Sequence, residues 1–597
     1  MRKQTCLQAF LRTAPLVAAL VLASCAPTSA QPSSAPAAPV ASSASSPPPS
    51  ATVVAPAPAP TSSPVVRPAA PVAPAPTTTP RLAVTTDAPR RGGVLRVLQR
   101  ADPPGFDPRQ QINVDVWGVI SATNNAVLQP EPGNATKGVV GDLAQSWEYS
   151  TDGKKLTIRF KNGIKWQDGT PFTAEDARYS LWTQGYPGKD LRSPREAFFE
   201  NVSDIKAIDP LTMEITFKNP DPVFLKVLAD VRQSIVPKHV VEKAGDLAFN
   251  RESRYLIGTG PFKLDDYKPG VVLKLKRNDS YFKQGMPYLD GLEYLVVRDA
   301  ATGFAAFRAG RADITGVGTG TFITPAQKSV IERDLKDKVT VYNLAADIFC
   351  AFWGNTAVPA WADKKVREAV FLAVDRQAAL QNIEGGLGAV GSAFPPGGPW
   401  AMPLQEVSAL PGYRQPKDQD IAQAKKLMAE SSQAAGFQTE IYARAQAGDL
   451  KYAEFMSNEL GKIGVKATVR PTQLAAFDDA IARKTHSSAV ACGGTSLNDP
   501  VDYTRYFVSG SAQNYLNISD KFLDGAFGQI NSTVDQSKRA ALTQDVDRYL
   551  MKNFMFVPIA WQFAPRASWN YVRGWPPGDG HYIQSINNRY ETTWLAR

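Results

Sequence analysis

GDLAQSWEYSTDGKKLTIRFKNGIKWQDGTPFTAEDARYSLW, from Gly141 to Trp182, carries a hairpin, two tight turns and a helix start in one run. Leu156, Ile158 and Phe160 alternate with polar residues, the period of a strand with one buried face. Asp152-Gly153, just before them, supplies the turn of a hairpin that begins near Trp147. Lys161-Asn162-Gly163 and Asp168-Gly169 are further turn sequences. Thr173 then starts a helix, with Asp176 three residues on, placed to return a hydrogen bond to the cap. Trp147, Trp166 and Phe172 are the expected filling of the small body this unit forms.

Downstream, strands continue and helices then take over. Leu211, Met213, Ile215 and Phe217 alternate, as do Val271, Leu273 and Leu275. Asp363 caps a helix with Val366, Val370 and Ala373 on one face. Leu450 to Ile463 carries Ala453, Met456, Leu460 and Ile463 as a stripe and stops at Gly464; Val465 to Val469 follows as a strand. Strands first, then alternating helices and strands, predict a mixed α/β body of more than one lobe.

Upstream the chain has a different character. Arg2, Lys3 and Arg12 precede an apolar run, Pro15 to Ala23, which falls short of the roughly 20 residues that cross a bilayer and reads as a signal peptide. It ends in Leu22-Ala23-Ser24-Cys25, which resembles the lipobox of bacterial lipoproteins and implies cleavage before Cys25 and lipidation there. From Ala26 to Arg90 there is almost only Ala, Pro, Ser, Thr and Val, with no aromatic residue. Such a segment buries too little to offset its ordering entropy, and its prolines keep it extended. Residues 1–24 are thus expected to be a signal, and 25–90 a lipidated stalk.

The 66 Lys and Arg are interspersed with 56 acids, so the net charge of +10 is a solvated basic surface without a nucleic-acid motif. No Ser-His or Cys-His pair stands in a catalytic pattern, and His239, His486 and His581 belong to no metal motif. His239 and His486 read as solvent-facing or scaffold residues; His581 is the one histidine with a weak case for a ligand role. No enzyme, cofactor or metal is expected. Cys6 leaves with the signal, so Cys350 and Cys492 remain in the body. Export permits a bridge between them, but wide sequence separation says nothing of distance, and two separate buried thiols are the favoured expectation.

Other runs follow in a recognisable order: Gly92-Gly93-Val94-Leu95-Arg96-Val97, Phe106-Asp107-Pro108, IGTGPFKLDDYKPG (257–270), RNDSYFKQGMPYLDGL (277–292), FRAGRADI (307–314) and KKVREAVFLAVDRQAAL (364–380). Together with Gly141 to Trp182, they make residues 91–597 resemble family 5 of the extracellular solute-binding proteins, the dipeptide, oligopeptide and nickel binders. The resemblance implies a two-lobed, hinge-connected α/β body of the type II periplasmic-binding-protein fold. One lobe would take 91–316 and 560–597, the other 317–559. It also implies ligand capture between the lobes, delivery to an ABC importer permease, and a monomer; a sensor on the same scaffold is the alternative. Gly258 and Gly260 read as a turn that needs glycine dihedrals.

Peptide binders of this family hold the ligand's amino group with an Asp in G-W-x-x-D-x-x-D-P. Aligned on Asp499-Pro500, the aromatic becomes Gly493 and the amine-binding Asp becomes Ser496. Asp499 takes that role only after a loop shift. A buried ammonium needs an anion, so a simple dipeptide ligand is disfavoured. Arg444 falls where dipeptide binders hold the ligand's carboxylate, with a surface strand-end Arg as the alternative. Trp353 and Asn355 are expected to line the cleft, with core packing as the alternative for Trp353, and Trp361 is a weaker candidate.

Overall fold

The structure, a computed structural model, describes residues 88–111, 114–131, 138–315, 323–494, 497, 499–575 and 589–597. The expected signal, Cys25, the expected stalk up to residue 87, Ser496 and His581 lie outside the described residues.

β1 (Val94–Gln99) opens the body. β2 (Leu128–Pro130) and β3 (Val139–Gly141) form a short ribbon. The decisive hairpin is present as β4 (Ala144–Tyr149) and β5 (Lys155–Phe160). With β6 (Val202–Asp209) and β7 (Thr212–Phe217) it makes a sheet of order β4-β5-β7-β6. Leu156, Ile158, Phe160, Trp166 and Phe172 are buried in its core, and Trp147 packs partly against it. The helix Ala174–Gly185 starts at Thr173, whose backbone N–H donates to Asp176 (2.9 Å). Asp176 also accepts from the backbone N–H of Lys238 (3.1 Å), so the cap ties two helices together.

β8 (Phe262–Lys268), β9 (Val272–Arg277) and β10 (Gly291–Val296) return to β1 in the order β1-β10-β9-β8. Leu273 and Leu275 face the core, but Val271 is 60 % exposed in the preceding turn, outside the buried alternation. Gly258 and Gly260 also need a correction, because neither has a positive φ. A Cβ on Gly258 would lie 1.9 Å from the Thr123 carbonyl oxygen, and one on Gly260 would lie 2.6 Å from it. Close backbone approach, rather than a left-handed dihedral, demands glycine there.

β11 (Val339–Tyr342) pairs with the late strand β18 (Arg566–Trp569), and Ile314 bridges Val97 and Ser568. The second lobe is built on six strands: β12 (Ala345–Gly354), β13 (Gly388–Ala389), β14 (Phe437–Arg444), β15 (Val465–Thr472), β16 (Ser488–Gly494) and β17 (Val557–Phe563). Their order is β13-β17-β12-β16-β14-β15. The helices Lys364–Ala373 and Ala447–Gly461 bury the predicted stripes against it. Near the end, β19 (Val572–Arg573) pairs with β20 (Trp594–Leu595) in the first lobe.

Strand pairing sets the two crossings between lobes. Residues up to Tyr342 pair within the first lobe, and β12 begins the second at Ala345. The return falls between β17 and β18, where the Ala564 N–H donates to the Leu344 carbonyl (2.6 Å). The crossings therefore sit beside each other at 343–344 and 564–565, rather than at 316–317 and 559–560 as expected. The helix Pro325–Asp334 packs through Ile331 with Leu98 and Phe307 of the first lobe, which a sequence boundary at 316 does not reveal.

Candidate functional site

β15, β14, β16 and β17 run in one direction, with β12 opposed to β16 and β17. Their carboxyl ends, Thr472, Arg444, Gly494 and Phe563, share an edge with the amino end of β12. Both crossings leave from that edge, so it is the edge turned to the first lobe. In open α/β sheets, ligands bind at the carboxyl ends of parallel strands, where chain reversals leave a crevice.

The loop after β16 leaves this edge and reaches across. Leu497 is 8 % exposed and packs in the core of the first lobe's β4-β5-β7-β6 sheet, with Val501 partly buried beside it. The Leu497 backbone N–H donates to Asp502 (2.7 Å), at the start of the helix Val501–Phe507. Asp499 is fully buried. It takes a two-pronged bond from Arg539 (Nη1 3.0 Å, Nη2 2.6 Å) and an ion pair from Lys226 of the first lobe (3.0 Å). Burial alone would raise its pKa; Lys226 and Arg539 outweigh burial and hold it at about 2. The Trp400 ring lies between the same two cations, 4.9 Å from Lys226 Nζ and 5.4 Å from Arg539 Cζ.

The residues expected to meet ligand are differently engaged. Arg444 donates to both oxygens of Asp449, itself 1 % exposed, and to the Cys492 carbonyl. Asp499 belongs to the buried ion pairs above, which removes it as an open anion. Trp353 does not present an open face: it is 1 % exposed, stacked between Tyr515 (5.2 Å) and Phe556 (5.0 Å). Asn355 is likewise buried. Its amide donates to the carbonyls of His486 (2.7 Å) and Lys484 (3.1 Å), and its oxygen accepts from the Ala357 N–H, so it locks a turn. Trp361 packs edge-on to Phe437 and Phe352 in the core. His239 bonds Asp168 (2.8 Å), and buried His486 bonds the Tyr515 carbonyl (2.8 Å).

Cys350 and Cys492 form a disulfide, which overturns the expectation of two separate thiols. They are directly opposed on β12 and β16, 142 residues apart in sequence but 4.0 Å apart at Cα. Only strand pairing makes them neighbours. The bridge lies one residue before Gly493, at the root of the loop that crosses to the first lobe.

Arg505, Lys226 and Trp400 were not singled out from the sequence. They stand outside the motif runs, and their relation to the loop exists only once the lobes meet. Arg505, in the helix Val501–Phe507, donates through Nη2 to the Gly494 carbonyl (2.9 Å) and to the Tyr506 hydroxyl (3.0 Å). A Cβ on Gly493 would lie 2.7 Å from that hydroxyl, so Tyr506 occupies the space a side chain at 493 would enter.

Comparison with known proteins places this geometry. The probable deoxycholate-binding periplasmic protein YgiS of Escherichia coli K12 is 26 % identical over 525 residues, spanning 83 % of this chain and 93 % of that one. The glutathione-binding protein GsiB of the same organism is 28 % identical over 330 residues, 55 % of this chain and 60 % of that one. The structure of HbpA2 from Haemophilus parasuis superposes with a TM-score of 0.73 at 19 % identity, covering 84 % of this chain and all of that one. Among the described residues no helix is long and apolar enough to cross a membrane. Residues 138–515, more than half of the chain, match the bacterial extracellular solute-binding proteins, family 5 (middle region). The chain thus belongs to that family of extracytoplasmic binding proteins, which are not enzymes, and has the two-lobed type II periplasmic-binding-protein fold.

Proposed function

We propose that this protein is the lipid-anchored receptor of an ABC importer, taking an anionic or mixed-polarity solute between its lobes and passing it to the permease. The observation that carries the ligand class is the state of Asp499. Its carboxylate is enclosed by Arg539 and Lys226, so it is not open to a ligand's ammonium. A free N-terminus brought into the cleft would lose its hydration without gaining that anion in exchange. One relative points the same way, since deoxycholate carries a carboxylate and no ammonium. The anchor rests on Cys25 after Leu-Ala-Ser, and the permease partnership rests on the family.

Calorimetry tests the ligand class. A panel of unmodified dipeptides should give little heat, while deoxycholate should bind and compact the protein in small-angle scattering. Micromolar dipeptide binding would overturn the reading.

A further inference from the structure

Two arginines stand beside the strand ends that face the first lobe, and they differ in how their charge is met. Arg444 has the carboxylate of Asp449. Arg505 donates only to neutral oxygens, the Gly494 carbonyl and the Tyr506 hydroxyl, and among the described residues it makes no ion pair. Its Nε is buried without a hydrogen-bond partner, and its guanidinium lies 4.8 Å from the Tyr506 ring centre. A half-buried guanidinium has lost part of its hydration, and neutral oxygens restore less of it than an anion does. Arg505 also adjoins the crossing loop and touches the carbonyl of Gly494, the last residue of β16.

We infer that Arg505 is the specificity-determining cation of this cleft and receives an anionic oxygen group, carboxylate or phosphate, of the ligand at the carboxyl end of β16. The inference rests on the proposed anionic ligand and gives it an address. Arg505 and Tyr506 act as one unit there: the guanidinium pins the hydroxyl that fills the space beside Gly493. The floor offered to a ligand is then glycine backbone and a phenol oxygen, with a fork of N–H donors next to it.

The probes are glutathione, deoxycholate and inorganic phosphate, each titrated by calorimetry into the wild-type chain, Arg505→Gln and Arg505→Lys. At least one anion should bind the wild type, Arg505→Gln should weaken it about tenfold or more, and Arg505→Lys should recover part of the loss. Melting temperatures should stay close together, because among the described residues no ion pair is removed. The bound probe distinguishes carboxylate from phosphate. Gly493→Ala, which displaces Tyr506, should weaken the same probe. An anion that binds wild type and Arg505→Gln equally overturns the role of Arg505 while leaving an anionic ligand in place. Failure of all three to bind the wild type overturns the anionic reading itself, and this inference with it.

Discussion

Lys226 and Asp499 join the two lobes through an ion pair of 3.0 Å, with Asp499 fully buried and the lysine side chain 21 % exposed. Arg539 holds the other face of the same carboxylate from within the second lobe. The crossing loop is therefore anchored on both sides of the lobe boundary by one charge.

Replacing that charge should be costly. Asp499→Asn leaves Arg539 buried without its anion, a loss of about 3 kcal/mol or more. Its folded pKa of about 2 lies below the ordinary value near 4, so the stabilisation is present above pH 4 and declines as the pH falls toward 2. Urea titrations of wild type and Asp499→Asn should show a constant gap from pH 7 to 5 and a smaller one at pH 3. A gap that widens at pH 3 contradicts this account.

Lys226→Met keeps the Arg539 pair, so it should cost less stability than Asp499→Asn. The interlobe contact is what it removes. Small-angle scattering of the ligand-free protein should show a larger radius of gyration for Lys226→Met than for wild type; identical profiles count against a contribution of this pair to closure.

The Cys350–Cys492 bridge closes a loop of 142 residues, for which chain-entropy reasoning gives about 4–5 kcal/mol. The double Ala variant should unfold at correspondingly lower denaturant, and wild type with reductant should approach it. Non-reducing peptide mapping should recover the two cysteines in one linked species, and free thiols at both positions would refute the bridge.

Arg444→Ala exposes a different dependence. It leaves Asp449 buried without its guanidinium and should cost about 3 kcal/mol, while the double variant Arg444→Ala/Asp449→Ala should be milder than the single one. A double variant as damaged as the sum of the two singles would mean the pair contributes nothing.

Cys25→Ala should leave the protein unprocessed or free in solution. Membrane retention equal to wild type, with no lipid on the N-terminus by mass spectrometry, would exclude the anchor.

Local order was legible in the chain because its causes are local. The alternation Leu156-Ile158-Phe160, the Asp152-Gly153 turn, the Thr173–Asp176 cap and the stripe from Ala453 to Ile463 each depend on a few neighbouring residues, and each is present. The ordered motifs carried the family and the two lobes. What decides the site is long-range. Cys350 meets Cys492 through strand pairing, Asp449 takes up Arg444 through the turn after β14, and Trp353 is enclosed by Tyr515 and Phe556. Asp499 meets Lys226 across 273 residues of chain (499 − 226). The sequence alone determined which residues carry charge and which segments form strands and helices. Only the tertiary structure decided which charges are neutralised internally and which are not, because ion pairing and burial depend on distances that sequence separation does not encode.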